Sequence, residues 1–455
     1  DDTFQGNILI SGEVITGIGP DPGPPEARVI DATDCYVMPG GVDVHTHLNL
    51  TAGGVTVGDG FFEGTAAAAF GGTTCIVEHP GFGPPGCSLL RQVKAYQAQA
   101  AGQAVVDYGL HAVFQHVDDE ILDQIDRLGP AGVSSAKIYL TYDGRLNDFE
   151  ILKVLVRSRR TGILAAFHAE NDAMIRYLQE KFRARGKLTP EYHPLSRPQI
   201  CEVEAIQRIL HLAEAAGGVP VYIVHLSTAR GLQAIETARR RGLRVYAEVC
   251  PQHLLLDDTC YRAPEWEGLK YVMAPPARKP ADCAALWQGL ENGAVDLVAT
   301  DHCAFTFEEK LARGRGDFSK CPGGIPGVET RLPLIFSDGV LSKRLSLNRF
   351  VEVVSTAPAK RMGLYPRKGT LTPGADADII VFDPNREKTV TPDHLYHNAD
   401  YSPYDGWQVR GWPTLTMVRG RIVMQQNRLT VKKGWGQYID RRQSDRIGGE
   451  QEVSS

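Results

Sequence analysis

Gly40-Gly41-Val42-Asp43-Val44-His45-Thr46-His47-Leu48 decides how this chain is read. Val42–Leu48 is short, β-branched and apolar at alternate positions, the pattern of a strand. Side chains alternate across a strand, so His45 and His47, two residues apart, leave it on one face. Two imidazoles on one face can hold a single cation, and neutral imidazole suits zinc. On its own the pair also reads as two solvated loop histidines, so the case depends on what surrounds it.

The same theme recurs from Val37 to about Cys303: an apolar run, a turn, then an amphipathic stretch. Further strands are expected at Thr74–His79, Val106–Phe114, Ala136–Thr141, Leu164–Ala169, Val219–Leu226, Arg244–Val249 and Leu297–Asp301. Helical spacing of apolar residues marks Ser88–Ala101, Asn147–Arg160, Cys201–Ala216 and Ala229–Arg241. Alternating strands and helices predict a parallel sheet, and eight units predict an α/β fold closed as a (β/α)8 TIM-like barrel. A Gly-x-Gly-x-x-Gly fingerprint does not follow the first strand, which disfavours an open dinucleotide-binding sheet.

The flanks read differently. Asn7–Gly17 has the pattern of a strand pair, and Gly369–Asp383 that of a turn feeding a buried strand. Trp412–Val423 and Gln426–Val431 add strands around a turn at Arg419-Gly420. Both termini are expected to combine into one small β-sandwich. The expected organisation is residues 1–35 as its N-terminal part, 36–365 as the barrel, 366–432 as its C-terminal part and 433–455 as a tail. That tail is polar and mobile from about Arg441 on this reading.

Composition sets outer limits. The 455 residues suit a barrel of roughly 250 residues with a second unit. The net charge of -5, from 49 basic and 54 acidic residues without a basic stripe, argues against a nucleic-acid partner. No apolar run reaches membrane-spanning length, so no membrane partner is expected. Nine cysteines without Cys-x-x-Cys pairs read as reduced thiols of a cytoplasmic protein. The chain opens on Asp-Asp-Thr, without a starting Met or a signal segment, and the native N-terminus is expected to be missing.

The chemistry lies at the strand ends. His45 and His47 end the first strand, Lys137 lies in the fourth, His168 ends the fifth, His225 the sixth and Asp301 the eighth. All C-terminal strand ends of a parallel barrel meet at one rim, so six polar groups distant in sequence should share one cup. Taken singly, His168 and His225 could be structural, Asp301 a helix cap, and Lys137 a lysine that snorkels to solvent. Together they favour a metal centre. An ammonium cannot ligate a cation, but burial disfavours the charged form of Lys137, and its neutral amine can add carbon dioxide to give an anionic carbamate. His302 should point away from the cup, and His253 is read as a bystander. Cys303 and Cys321 have no base beside them to make a thiol nucleophile.

Gly40–His47, Ala136–Tyr142, His168-Ala-Glu-Asn, Val224-His-Leu-Ser, Glu248-Val-Cys-Pro-Gln and Ala299-Thr-Asp-His together resemble the cyclic amidohydrolases. Gly81-Phe-Gly-Pro, Leu195-Ser-Arg-Pro, Asp317-Phe-Ser-Lys-Cys-Pro and Gly324-Ile-Pro-Gly-Val-Glu are similar to the hydantoinase/dihydropyrimidinase branch, its bacterial phenylhydantoinases above all. The resemblance implies two divalent metal ions, zinc first and manganese second. One would sit on His45, His47, carboxylated Lys137 and Asp301, the other on Lys137, His168 and His225. It further implies Tyr142 as hydrogen-bond donor to the substrate carbonyl, Asp301 as the group that moves protons, and a homotetramer.

Two positions depart from the family pattern: Ala274 stands where Ser is common, and Gly323 where Asn is common. Both positions are implied to bind the ring through backbone groups. Leu48-Asn49-Leu50 supplies no Arg after the His-x-His, which disfavours a carboxylated ring such as dihydroorotate. The expected substrate is an uncharged, small cyclic amide, with loops Leu48–Gly58 and Tyr142–Asn147 flanking its substituent. An allantoinase-like enzyme and a non-catalytic scaffold relative are the alternatives.

Overall fold

The structure, a computed structural model, describes residues 3–52 and 54–442. Eight strands form the barrel: Gly41–Thr46, Thr73–Glu78, Asp107–Leu110 continued by Ala112–Val113, Ser135–Tyr139, Leu164–His168, Val221–Ile223, Val245–Val249 and Leu297–Val298. Neighbouring strands pair in parallel throughout. The third strand is interrupted at His111, so the ladder is split into a three-stranded and a six-stranded run.

Closure between the eighth and first strands is made largely by side chains. The eighth strand ends at Val298, shorter than the run Leu297–Asp301 suggested. Beyond it, Thr300 Oγ1 donates to Asp43 Oδ2 at 2.6 Å and to the His45 carbonyl at 3.1 Å. Thr46 and His302 form a parallel bridge. The wholly buried Arg331 donates to the carbonyls of Val42 and Val298 at 2.9 and 2.8 Å. A guanidinium's fixed fork of donors suits it to pinning two strands at once.

Inside the barrel Val42, Cys75, Val77, Leu164, Ala166, Tyr222 and Leu297 pack together, with Met362, Leu364 and Ile439 beneath them. Several outer helices are amphipathic and capped by a side chain at their N-terminus. In Asp148–Thr161, for example, Asn147 and Glu150 form a reciprocal capping box, Ile151, Val154 and Leu155 are buried, and Gly162 ends the helix at φ 76°.

Beside the barrel lies the β-sandwich. Its larger sheet runs Arg428–Leu429, Arg421–Gln425, Gln408–Val418, Ile379–Thr389 and Tyr36–Pro39, all antiparallel. A hairpin, Asn7–Ser11 with Val14–Gly19, covers one face. Alternation assigns the faces: Ile379 and Val381 pack with Ile15, Leu415 and Met417, whereas Ile380 and Phe382 join the main barrel core.

Two parts of the chain lie elsewhere than the sequence reading put them. Tyr36–Pro39, read as the start of the barrel, pairs with Ile379–Phe382 in the sandwich sheet. The tail is docked through Arg442: Tyr108 N donates to Gln437 O, Ile439 N to Tyr108 O and Arg441 N to Gly132 O. Arg441, expected to be mobile, is 1% exposed. The remaining tail, residues 443–455, lies outside the described residues.

A buried ionic cluster joins the two units. Lys368 Nζ lies 2.6 Å from Asp107 on the third barrel strand, and 2.9 and 2.8 Å from Asp376 and Asp378 at the entry to the sandwich. Arg419 also reaches Asp107, at 3.1 Å. The three carboxylates could in principle gather a cation, but the lysine already sits among them. Lys368→Met removes the central charge and leaves buried carboxylates uncompensated, which should cost about 3–5 kcal/mol. Urea unfolding reads that loss, and an unchanged midpoint would contradict the cluster's structural role.

Candidate active site

The six residues expected to share a cup come together at the C-terminal end of the barrel. Asp301 Oδ1 lies 3.1 Å from Nε2 of both His45 and His47. Lys137 Nζ lies 3.4 Å from His45 Nε2. His168 Nδ1 and His225 Nε2 face each other at 2.9 Å. The His45 and His225 rings stack at 5.4 Å, which joins the two groups. Asp301 and His225 have φ of 54° and 36°, in a region that non-glycine residues seldom occupy. Both turn out of their strands there, and such strain persists only where surrounding contacts enforce it.

Each of three imidazoles is held from behind so that its other nitrogen faces inward. His45 Nδ1 is bound by Glu248 Oε1. His47 Nδ1 lies 3.3 Å from the His79 carbonyl. His168 Nε2 lies 2.8 Å from Glu170 Oε2. Glu248 also accepts from the His225 backbone N–H at 2.9 Å and from the Tyr222 hydroxyl at 2.5 Å. Glu170 is in turn gripped by Arg197 at 2.5 Å. Burial would raise the Glu170 carboxyl, but Arg197 and His168 together outweigh it and hold the group down at about 2.

Burial, above all other causes, lowers the pKa of His45, His168 and His225, which favours the neutral ring with its free lone pair. Burial likewise pushes the Lys137 ammonium down to about 8. Burial would raise the Asp301 carboxyl, but His45 and His47 hold it below the usual carboxylate range. The cup thus presents neutral nitrogens, one anionic oxygen and an amine within reach of its neutral form. That donor set fits divalent metal ions.

Tyr142 stands on the rim, 38% exposed, at φ 72°. Its ring lies 5.3 Å from that of His168 and under the Arg197 guanidinium at 5.8 Å. Ala274 and Gly323 lie on adjoining loops, since Gly324 N donates to Val272 O at 3.0 Å and an alanine Cβ at position 323 would lie 4.0 Å from Met273 Cα. His253 Nε2 donates to Pro275 O at 3.0 Å and ties the Ala274 loop to the seventh-strand side of the cup. His302 binds Asp59 at 2.9 Å and accepts from the Gly327 N–H at 3.0 Å, apart from the imidazoles around Asp301. Burial raises the thiol pKa of both Cys303 and Cys321, which leaves them poor nucleophiles.

Glu248, Glu170 and Arg197 were present in the sequence motifs but were given no role there. For Glu248 and Glu170 the signal was a carboxylate at or just beyond a strand end, on or beside a histidine-bearing strand, whereas Arg197 follows the short helix His193–Ser196 and carried no such signal. The partner each one holds is decided only by the fold.

These features define a metal-dependent hydrolase type of barrel, and the comparisons agree. Residues 36–423 match the amidohydrolase family. The chain is 46% identical to D-phenylhydantoinase of Escherichia coli O1:K1 / APEC, over 96% of this chain and 94% of that one. The D-hydantoinase of Bacillus sp. AR9 superposes with a TM-score of 0.95 at 40% identity, covering 98% of this chain and 97% of the other. The dihydropyrimidinase of Brevibacillus agri NCHU1002 gives 0.95 at 39%, covering 97% and 96%. The chain belongs to the amidohydrolase family, in its hydantoinase/dihydropyrimidinase branch.

Gly324 permits the close approach that builds the rim. Its φ is 152°, and a Cβ there would meet Cys303 Cβ at 2.6 Å and Sγ at 2.7 Å. Gly324→Ala should therefore cost about 1–3 kcal/mol in strain and overpacking. Chemical unfolding measures this, and wild-type stability in the variant would contradict so tight a contact.

Proposed function

We propose that the protein opens the cyclic amide of 5-substituted hydantoins or dihydropyrimidines by hydrolysis, giving N-carbamoyl amino acids, as a D-phenylhydantoinase-like enzyme. The observation that carries this is the junction of the His45–His47–Asp301 group with Lys137 and the His168–His225 pair beneath Tyr142. The names of the relatives support the substrate class.

His45, His47, Lys137 and Asp301 would hold one divalent ion, and Lys137, His168 and His225 the other, zinc first and manganese second. Lys137 would serve as its carbamate: Nζ bonds to the carbon of carbon dioxide and loses a proton, leaving an anionic ligand. When bound, such ions acidify a water molecule and polarise a carbonyl.

The chain's own groups do the rest. The Tyr142 hydroxyl donates a hydrogen bond to the scissile carbonyl oxygen. As water adds to the carbon that oxygen gains negative charge, so the bond strengthens toward the transition state. Asp301 accepts the proton of the attacking water and returns it to the leaving ring nitrogen as the C–N bond breaks. Backbone groups at Ala274 and Gly323 would orient the ring. Loops Leu48–Gly58 and Tyr142–Asn147 would flank the substituent and set its stereochemistry.

An allantoinase-like activity would use the same centre and differ in ring and substituent. The presence of all six ligating side chains argues against a non-catalytic scaffold. The reading extends to a homotetramer in the cytoplasm. All nine cysteines are free, which suits a reducing compartment, and Phe149, Val156 and Tyr177 expose apolar surface on outer helices. Among the described residues, no helix is long and apolar enough to cross a membrane.

Hydrolysis of D- and L-5-phenylhydantoin beside dihydrouracil, with zinc or manganese and bicarbonate supplied, tests the assignment. Fast opening of the D-hydantoin is the expected result. No turnover of any of the three by fully metal-loaded protein would overturn it. Tyr142→Phe should lower kcat by about 10²–10³ with a smaller change in KM. Wild-type turnover in that variant would remove Tyr142 from the chemistry.

A further inference from the structure

The docked tail carries a side chain into the floor beneath the cup. Arg441 is wholly buried, and its guanidinium donates to the Ser135 hydroxyl at 3.0 Å and to the Leu110 carbonyl. Room for it comes from Gly109 on the third barrel strand, where a Cβ would meet Arg441 Cδ at 2.8 Å. Ser135 Oγ lies 2.7 Å from His111 Nδ1, and His111 Nε2 lies 3.0 Å from the Val44 carbonyl. The His111 ring stacks on His79 at 3.8 Å with planes 4° apart, and His79 lies 4.3 Å from His45. A continuous polar column therefore runs from the tail up to the cup.

The donor directions along this column are fixed by chemistry. A guanidinium only donates, so Ser135 Oγ accepts from Arg441. With that lone pair engaged, the single hydroxyl proton of Ser135 is aimed at His111 Nδ1. A carbonyl only accepts, so His111 Nε2 must carry the ring proton and donate it to Val44 O. Val44 immediately precedes His45 on the first strand.

We propose that Arg441 is a positioning residue for the cup: through Ser135 it fixes the orientation of the His111 ring, and that ring, through the Val44 carbonyl, holds the strand that carries His45 and His47. The Val44 carbonyl keeps the ring proton on Nε2, so Arg441 sets where the ring sits and not its tautomer. Without Arg441, Ser135 can turn its hydroxyl away from Nδ1, the ring loses that anchor, and the Nε2–H bond that tethers the strand directly below its two imidazoles is loosened. The consequence for metal rests on the reading of the cup given above, whereas the anchoring of the His111 ring does not.

Nitrogen NMR of 15N-histidine-labelled protein, with His111→Gln to assign the signal, reads the hydrogen bonding of both ring nitrogens. The wild type should show protonated Nε2 and, at His111, a bare Nδ1 that accepts a hydrogen bond. Arg441→Met and Ser135→Ala should each move the Nδ1 signal downfield, toward that of an unbonded ring nitrogen, and quicken exchange of the Nε2 proton. Both should release metal to a chelator about tenfold faster, the lower end of what partners of metal-binding histidines usually control. Arg441→Lys should restore part of each effect, and the double variant should be no worse than either single one. Ser135→Ala leaves the tail intact and carries the test if Arg441→Met does not fold. An unchanged Nδ1 signal in Arg441→Met, or unchanged Nε2–H exchange in Ser135→Ala, would overturn the proposal. A loosened ring with wild-type metal release would overturn its link to the cup. A wild-type protein without metal would count against the metal reading alone, and the NMR result would still decide the role of Arg441.

Discussion

One buried carboxylate, Glu248, fixes where two imidazoles of the cup can be. It binds His45 Nδ1 through one oxygen and accepts the His225 backbone N–H at that same oxygen, while its other oxygen takes the Tyr222 hydroxyl. A single side chain on the seventh strand thereby sets the ring orientation of His45 on the first strand and the turn of the chain at His225 after the sixth. Removing it would leave several buried donors unpaired, each a cost of about 1–3 kcal/mol. The same logic recurs across the cup, where Glu170 holds His168 and is itself held by Arg197. Anchoring one ring nitrogen leaves the other with a defined direction, which is what a metal site requires of its histidines.

The barrel makes this arrangement affordable in structural terms. A concentration of neutral imidazoles around a lysine is unfavourable in a generic interior, because each polar atom needs a partner. Here the core beneath is closed by apolar residues and by Arg331, which ties the first and eighth strands. The tail adds a second support from below through Arg441. Lys368 binds the sandwich to the third strand. Rigid surroundings of this kind let Asp301, His225 and Tyr142 keep backbone angles that isolated peptides would avoid.

Much of this was legible in the sequence because strand ends in a parallel barrel converge by geometry alone. His45, His47, His168, His225 and Asp301 could be placed together from position in their strands, and Lys137 followed from its company. The anchors were harder. Glu248 and Glu170 sit in the same motifs, but a carboxylate's partner is set by neighbouring strands, not by its own segment. Tyr36–Pro39 was assigned to the wrong unit because a strand's pattern records its period, not the sheet it joins. Arg441 was misjudged for a related reason: a polar tail reads as solvated, and only the space beside Gly109 shows that a guanidinium can enter.

The central claim is that Lys137, as a carbamate, completes a two-ion centre. The most direct test is elemental analysis of protein prepared with zinc and 13C-bicarbonate, joined to carbon NMR of the same sample and of Lys137→Met. About two ions per chain with a carbamate signal in the native protein, both lost in the variant, is the predicted result. Full metal content in Lys137→Met, or a native protein with two ions and no carbamate signal, would contradict it.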